Sequence, residues 1–223
     1  MTQSLAKQNA YLSTFVGATR LEKIEHILQQ RTEHITLVLE DTYQAHNISA
    51  VIRSCECFGI QNLHMIENNY PFKINRAIVM GANHWISIHH YNKHANNTIN
   101  CVDLLKKQGY AIAALNLSPK AIPLSALPLT DKLALCIGTE KTGLSAQMIT
   151  KADYQVKIPM VGFTQSLNLS VTAGIALSQL RARLCTEVPN WQLNTSVYQQ
   201  LKCHWLRRSI PNGDKILAHF LAK

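Results

Sequence analysis

The stretch IPMVGFTQSLNLSVTAGIAL, residues 158–177, begins as a buried strand and ends as a buried helix, with the polar run Thr164-Gln165-Ser166-Leu167-Asn168-Leu169-Ser170 between them. Buried amides and hydroxyls need partners, so this junction either caps a helix or holds something. Ser166 or Asn168 suits the first free N–H groups of the helix that follows, and the cap and ligand readings stand side by side at this point. Upstream, apolar runs at 35–39, 63–66, 85–88, 110–115, 133–137 and 154–158 read as strands, and helical patterns at 48–58, 98–108 and 145–152 lie between several of them, with a long one at 169–184. Strands alternating with helices imply an α/β fold, a mainly parallel sheet with helices on both faces. Ligands of such sheets collect beyond the carboxyl ends of the strands, so the motifs that carry chemistry should follow strands.

Two more motifs do. HNISAVIRSCECFG, residues 46–59, follows the run ITLVLE; Asn47 is placed as an N-cap and Gly59 as a helix end. Arg53 comes six residues after Asn47 and points about 120° around the helix from it. Its neighbours Ile48, Val51, Ile52 and Phe58 are apolar, so this lone cation either snorkels to solvent or is there to hold a phosphate. CIGTEKTGLS, residues 136–145, sets Gly138 at a strand end and Gly143 before a helix. The spacing approaches a phosphate loop, G-x-x-x-x-G-K-[ST], but Leu144 stands where the lysine would reach the phosphates. No G-x-G-x-x-G occurs either. A glycine-flanked turn remains, where backbone can approach a ligand, with Glu140 as its one acid.

Composition bounds the class. A chain of 223 residues with 47% hydrophobic and 16% charged residues is ordinary for a globular fold. The start MTQSLAKQNAYLSTF lacks the charge and apolar run of a leader, and no stretch approaches a membrane span, so a cytoplasmic protein without membrane contact is expected. Cys55, Cys57, Cys101, Cys136, Cys185 and Cys203 form no C-x-x-C pair and read as reduced thiols. His84, His89, His90 and His94 straddle a strand and a loop without a ligand pattern, so no metal is expected. The net charge of +9 points to a polyanionic partner, and residues 181–223 carry seven Lys or Arg against two acids. Arg181, Arg183, Arg207 and Arg208 lie there beside Trp191, Tyr198 and Trp205, a mixture suited to phosphate contact and base stacking. The alternative is a solvated helix face anchored by buried tryptophan. Leu21, Ile24, Ile27 and Leu28 recur at helical spacing before the first strand, so the chain divides into an N-terminal helical extension (1–34), a central domain (35–184) and a basic C-terminal helical extension (185–223).

In order and spacing, Asn47 to Arg53, Gly138-Thr-Glu140-Lys-Thr-Gly143-Leu-Ser, and Ile158-Pro-Met160-Val-Gly with Ser166-Leu167-Asn168-Leu169-Ser170 resemble the three motifs of the SpoU family of RNA ribose 2′-O-methyltransferases, within the SPOUT superfamily. The resemblance is nearest to members that modify guanosine 18 of the tRNA D-loop. It implies S-adenosylmethionine as methyl donor, a homodimer, a tRNA substrate and a deep C-terminal trefoil knot, which topology rules alone would not have suggested. By position, it makes Arg53, Asn47, Glu140, Ser166 and Asn168 the catalytic group. Leu115, Asn116, Gly138, Glu140, Gly143, Ile158, Met160, Ser166 and Leu167 match cofactor-binding positions. Arg53 and the four arginines of the tail are the expected RNA contacts. Another tRNA or ribosomal nucleotide as target, or a non-catalytic RNA-binding module, are the rival readings. Thr139 and Leu169 depart from the family's usual residues without removing a catalytic group.

Overall fold

The computed structural model describes residues 2–222. The chain divides into two compact units, one of residues 32–191 and one in which 2–31 join 192–222.

The larger unit holds one sheet of seven strands: β1 (Ile35–Glu40), β2 (Asn62–Ile66), β3 (Ser87–Tyr91), β4 (Tyr110–Leu115), β5 (Ile122–Pro123), β6 (Lys132–Ile137) and β7 (Tyr154–Lys157), in the order β3-β2-β1-β6-β4-β7-β5 with every pairing parallel. β1 is ITLVLE, buried at every position, because a central parallel strand is covered on both faces and needs no polar alternation. Leu37 sits beside Leu63 on one side and Leu135 on the other, which fixes the register of the central strands. The helices are α3 (Ala45–Cys57), α4 (Arg76–Val79), α5 (Asn97–Lys107), α6 (Ala146–Lys151) and α7 (Leu169–Glu187). One core joins Leu37, Leu39, Leu63 and Leu135 to Ile48 and Ile52 of α3 and to Ala173, Leu177 and Leu180 of α7. The other joins Val38, Ile112 and Cys136 to Val102 and Leu105 of α5 and Met148 of α6. Alternate residues of one strand thus serve opposite helical layers.

Several boundaries differ from the sequence reading. The third strand starts two residues late, because Ala82–His84 form a 3-10 turn that ends at Trp85. β5 is only two residues long and left no periodic signal. Asn47 is not a cap: Gln44 takes that position, and Asn47 lies buried in the first turn of α3.

The smaller unit comprises α1 (Thr2–Ser13), α2 (Ala18–Gln29), α8 (Thr195–Ser209) and α9 (Gly213–Leu221), so the two terminal segments pack as one helical body. Leu12, Leu28 and Leu206 are fully buried in it. Trp205 is buried too, with the Arg31 guanidinium 5.2 Å from its ring centroid, so it anchors the unit and is not a stacking surface for bases. Asn9 Nδ2 donates to Gln199 O at 3.0 Å and Oε1 at 2.7 Å, and Tyr11 stacks on Phe220.

Candidate active site

Three loops at the carboxyl ends of β1, β6 and β7 converge. α3 follows β1 and packs beside α7, which follows β7, so the first turn of α3 meets the start of α7. Glu140, on the loop after β6, joins them. Its Oε1 accepts Asn47 Nδ2 at 2.7 Å, Asn168 Nδ2 at 2.8 Å and the Leu169 N–H at 3.1 Å. Asn47 Nδ2 also donates to Gln44 Oε1 at 2.6 Å, and Asn168 Nδ2 to Asn47 Oδ1 at 3.2 Å. Asn168 is the N-cap of α7 as well, with Oδ1 accepting the Ser170 N–H at 2.9 Å. The two readings of the junction therefore meet in one side chain: it caps a helix and ties it to two other loops. Ser166 is exposed and makes no part of the cap.

The loop before Glu140 is built on its glycines. A Cβ on Gly138 would lie 2.1 Å from Gly143 O and 2.4 Å from Leu144 N, closer than any side chain tolerates. Gly143 has φ +68, and the turn closes through Thr139 N–H to Gly143 O at 3.2 Å and Gly143 N–H to Thr139 O at 3.0 Å. Leu144, the residue that broke the phosphate-loop pattern, is buried in the α5–α6 core.

Beside this turn lies a cavity of about 430 Å³, lined by Leu115, Asn116, Gly138, Glu140, Gly143, Ile158, Met160, Ser166 and Leu167, the nine residues named above for the cofactor, with Ile137, Thr139, Thr142, Gln165, Leu169 and others. Its size is that of a small-molecule site, and its aliphatic walls with hydroxyl and amide edges suit an adenosine joined to an amino acid. The residues present therefore fit S-adenosylmethionine.

Sequence reasoning missed the supports. Glu40, at the end of β1 and 2% exposed, accepts the Ser145 N–H and Ser145 Oγ at 2.8 Å each and Thr98 Oγ1 at 2.6 Å. It holds the far end of the Gly138–Gly143 turn. A lone acid ending an apolar strand was the available signal.

Arg53 is not brought to the cluster. It is exposed, its Nη1 donates to Ile78 O at 3.2 Å, and it does not line the cavity. In the tail, Arg181 lies with its guanidinium 3.8 Å from the Trp191 ring centroid, and Arg183 forks onto Glu187 through Nε and Nη2 at 2.7 Å each while Nη1 reaches Leu124 O. Arg207 pairs with Asp214, and Arg208 is exposed. Internal partners thus take up most of the guanidiniums that the charge distribution had assigned to RNA.

The histidines are spread over the β2–β3 edge. His89 stacks on His64, and His90 Nδ1 meets Glu67 Oε1 at 2.7 Å. Among the described residues no group of three or more His, Cys, Asp and Glu is arranged to hold a metal ion. Burial, helped by His89, pushes the His64 imidazole down to about 3, and its Nδ1 lies 2.9 Å from Tyr91 Oη. None of the six cysteines is in a disulfide, and burial pushes the Cys101 thiol up to about 12, which makes it unreactive. Among the described residues no helix is long and apolar enough to cross a membrane.

Residues 34–178 match the model of the SpoU rRNA methylase family. The chain belongs to this family. A SpoU relative from Borreliella burgdorferi, named tRNA (guanosine(18)-2′-O)-methyltransferase, is 37% identical over 95% of both chains. A protein of the same name from Escherichia coli is 31% identical over 73% of this chain and 69% of its own. Among solved structures, the A. aeolicus TrmH/SpoU tRNA modifying enzyme superposes with a TM-score of 0.77 at 25% identity, covering 86% of this chain and 98% of that one. The SpoU methyltransferase AviRb from Streptomyces viridochromogenes, solved with AdoMet, has a TM-score of 0.61 at 20% identity, covering 71% and 64%, and shares the fold. SpoU membership implies the trefoil knot that the resemblance alone led us to expect; the strand order itself places β7, which leads into the Asn168 loop, between β4 and β5.

Proposed function

We propose that this SpoU protein transfers the methyl group of S-adenosylmethionine to the ribose 2′-hydroxyl of guanosine 18 in the D-loop of tRNA, working in the cytoplasm as a homodimer. The observation that carries the reading is the Asn47–Glu140–Asn168 cluster at the rim of the 430 Å³ cavity, in a chain so similar to proteins named for that reaction.

When bound, S-adenosylmethionine supplies an electrophilic methyl on a sulfonium centre. The chain's own residues position the partners, which is most of what an in-line displacement requires. Leu115, Ile158 and Leu167 wall the cavity with apolar surface, and the Gly138–Gly143 turn forms one side of it. Asn47, Glu140 and Asn168 hold the three loops in register at the rim where the ribose enters. The 2′-hydroxyl is a poor nucleophile until its proton departs, and the adjacent RNA phosphate is the acceptor within reach of it. A guanidinium donates hydrogen bonds and accepts none, so the part of Arg53 is to grip the adjacent phosphate and ribose and steady the developing oxyanion. Of the five arginines considered for RNA, the exposed Arg53 and Arg208 are the two this reading relies on.

The homodimer has support of its own. Val161 and Phe163 are completely exposed on the loop beside the cavity, and Val171 of α7 is 47% exposed, an apolar group that a second copy of the chain would cover. Incubation of the protein with labelled S-adenosylmethionine and tRNA, followed by nucleoside mass spectrometry and mapping, tests the reading. The expected product is 2′-O-methylguanosine at position 18; methyl at another nucleotide overturns the target, and none at all overturns the activity. Sedimentation tests the dimer separately.

A further inference from the structure

Across the Thr139–Gly143 turn from the cofactor cavity lies a second cleft, of about 580 Å³, lined by Glu40, Asp41, Asn69, Tyr70, Thr142 and Ser145 among others. Thr139, Thr142, Gly143 and Leu144 belong to the walls of both, so a single turn of backbone separates them. A small pocket bearing Tyr43, Asn47, Thr139 and Glu140 opens on the same turn. The rings of Tyr43 and Tyr70 stand 5.3 Å apart at 46°, and both are exposed, at 40% and 47%.

Tyr70 is held where it is. Asp41 has φ +52, a conformation that costs a non-glycine residue energy, and it directs its carboxylate at the next loop. Oδ1 accepts the Asn68 N–H at 2.8 Å and the Asn69 N–H at 2.7 Å, and Oδ2 accepts Asn69 Nδ2 at 2.8 Å. The corner that carries Tyr70 is thus fixed to the end of β1. Both acids of the cleft are occupied internally, Asp41 by this corner and Glu40 by Ser145 and Thr98. Among the described residues its lining includes no lysine or arginine. A cleft with the Tyr70 ring in its wall, the Tyr43 ring of the adjoining small pocket beside it, hydroxyl and amide edges and no cationic side chain suits a flat, neutral heterocycle better than a phosphate or a metal ion.

We propose that this cleft receives the base of the nucleotide to be methylated, stacked against Tyr70 and Tyr43, with its ribose crossing Thr139 toward the Asn47–Glu140 pair. The proposal rests on the reading that the substrate is RNA. It makes Tyr70 a substrate-binding residue separate from the cofactor cavity, which it does not line.

The test uses the full chain, tRNA transcript and S-adenosylmethionine. Tyr70→Ala should reduce single-turnover methylation about 10-fold, the scale of losing one base–aromatic stack, while calorimetric affinity for S-adenosylmethionine stays at the wild-type value. Tyr70→Phe and Tyr70→Trp should stay within about two-fold of wild type, and Tyr70→Leu, which keeps bulk without a π face, should behave like the alanine variant. 2-Aminopurine placed at the target position should be quenched on binding wild type and remain bright with Tyr70→Leu. Normal methylation and quenching by Tyr70→Leu, beside an active wild type, would overturn the cleft assignment alone. A wild type that binds cofactor but methylates no tRNA would overturn the reading of the reaction, and the cleft with it.

Discussion

Asn168 donates from Nδ2 to Glu140 Oε1 at 2.8 Å while its Oδ1 accepts the Ser170 N–H at 2.9 Å, so one side chain both starts α7 and ties it to the loop after β6. The two roles separate by substitution. Serine caps a helix about as well as asparagine but is too short to reach Glu140, so Asn168→Ser should keep stability within about 0.5 kcal/mol and lose about 10-fold or more in methylation rate. Asn168→Ala should lose the rate and about 1 kcal/mol of stability besides. Urea denaturation and single-turnover assays on both variants check this; wild-type turnover by Asn168→Ser would show that the tie is dispensable.

Gly138→Ala puts a methyl 2.1 Å from the Gly143 carbonyl oxygen, and because the obstruction is backbone, the turn has to open. The expected outcome is a protein with normal helix content by circular dichroism whose affinity for S-adenosylmethionine falls at least about 10-fold, the equivalent of about 1.4 kcal/mol. Calorimetry decides it. Unchanged affinity would mean that the turn does not shape the cofactor cavity.

What the sequence disclosed here was local, and what it hid was not. ITLVLE announces a buried parallel strand through the apolar residues at 35 and 37–39, and the glycines at 138 and 143 announce a tight turn because few other residues fit one. The residues that line the cavity were named through the resemblance to the SpoU motifs, position by position, and not from periodicity or spacing. Asn47 was misread as a cap because Asn favours that position, yet Glu140, 93 residues away, draws it into the helix as a buried partner. Trp205 looked like a stacking platform until Arg31, from the other end of the chain, covered it. Arg183 looked like an RNA contact, but Glu187 sits one turn along the same helix, a pairing the i,i+4 spacing already offered.

That pairing has a consequence for RNA binding. Arg183 is forked onto Glu187 and the Leu124 carbonyl; Arg208 also has a contact within the protein but is exposed, so it can meet RNA. Arg208→Ala should weaken tRNA binding and reduce the salt slope by about one unit, and Arg183→Ala should leave the slope unchanged. Filter binding across a salt series measures both. An unchanged slope for Arg208→Ala would make the C-terminal helices structural only.

His64 sets an acid limit on stability. Burial, reinforced by His89, holds its pKa near 3 in the folded chain against 6.5 when exposed, and burial lowers His89 as well. Between these two values the unfolded chain binds a proton that the folded chain refuses, so stability falls as pH drops from about 6.5 toward 3, by about 1 kcal/mol per pH unit for a group so buried. His64→Gln, neutral at every pH and able to meet Tyr91 Oη, should flatten that slope. Urea midpoints at pH 7, 6 and 5 for both proteins check it; parallel slopes would assign the acid sensitivity to other groups.

Arg53 separates function from packing most sharply. It sits six residues along α3 from Asn47, about 9 Å farther up the axis and about 120° around it, and its Nη1 donates to the Ile78 carbonyl. That exposed bond is easily replaced by water, so a purely structural Arg53 predicts that Arg53→Ala costs well under 1 kcal/mol and leaves turnover intact. An Arg53 that grips phosphate and ribose predicts a folded variant with normal cofactor affinity and a rate lowered on the order of 100-fold, the scale of removing one preorganised donor from developing charge. Arg53→Lys should recover little of it, because an ammonium lacks the planar two-pronged grip of guanidinium. Single-turnover methylation at saturating enzyme separates this chemistry from RNA binding. A rate within a few-fold of wild type would take Arg53 out of the mechanism and leave positioning to the Asn47–Glu140–Asn168 cluster alone.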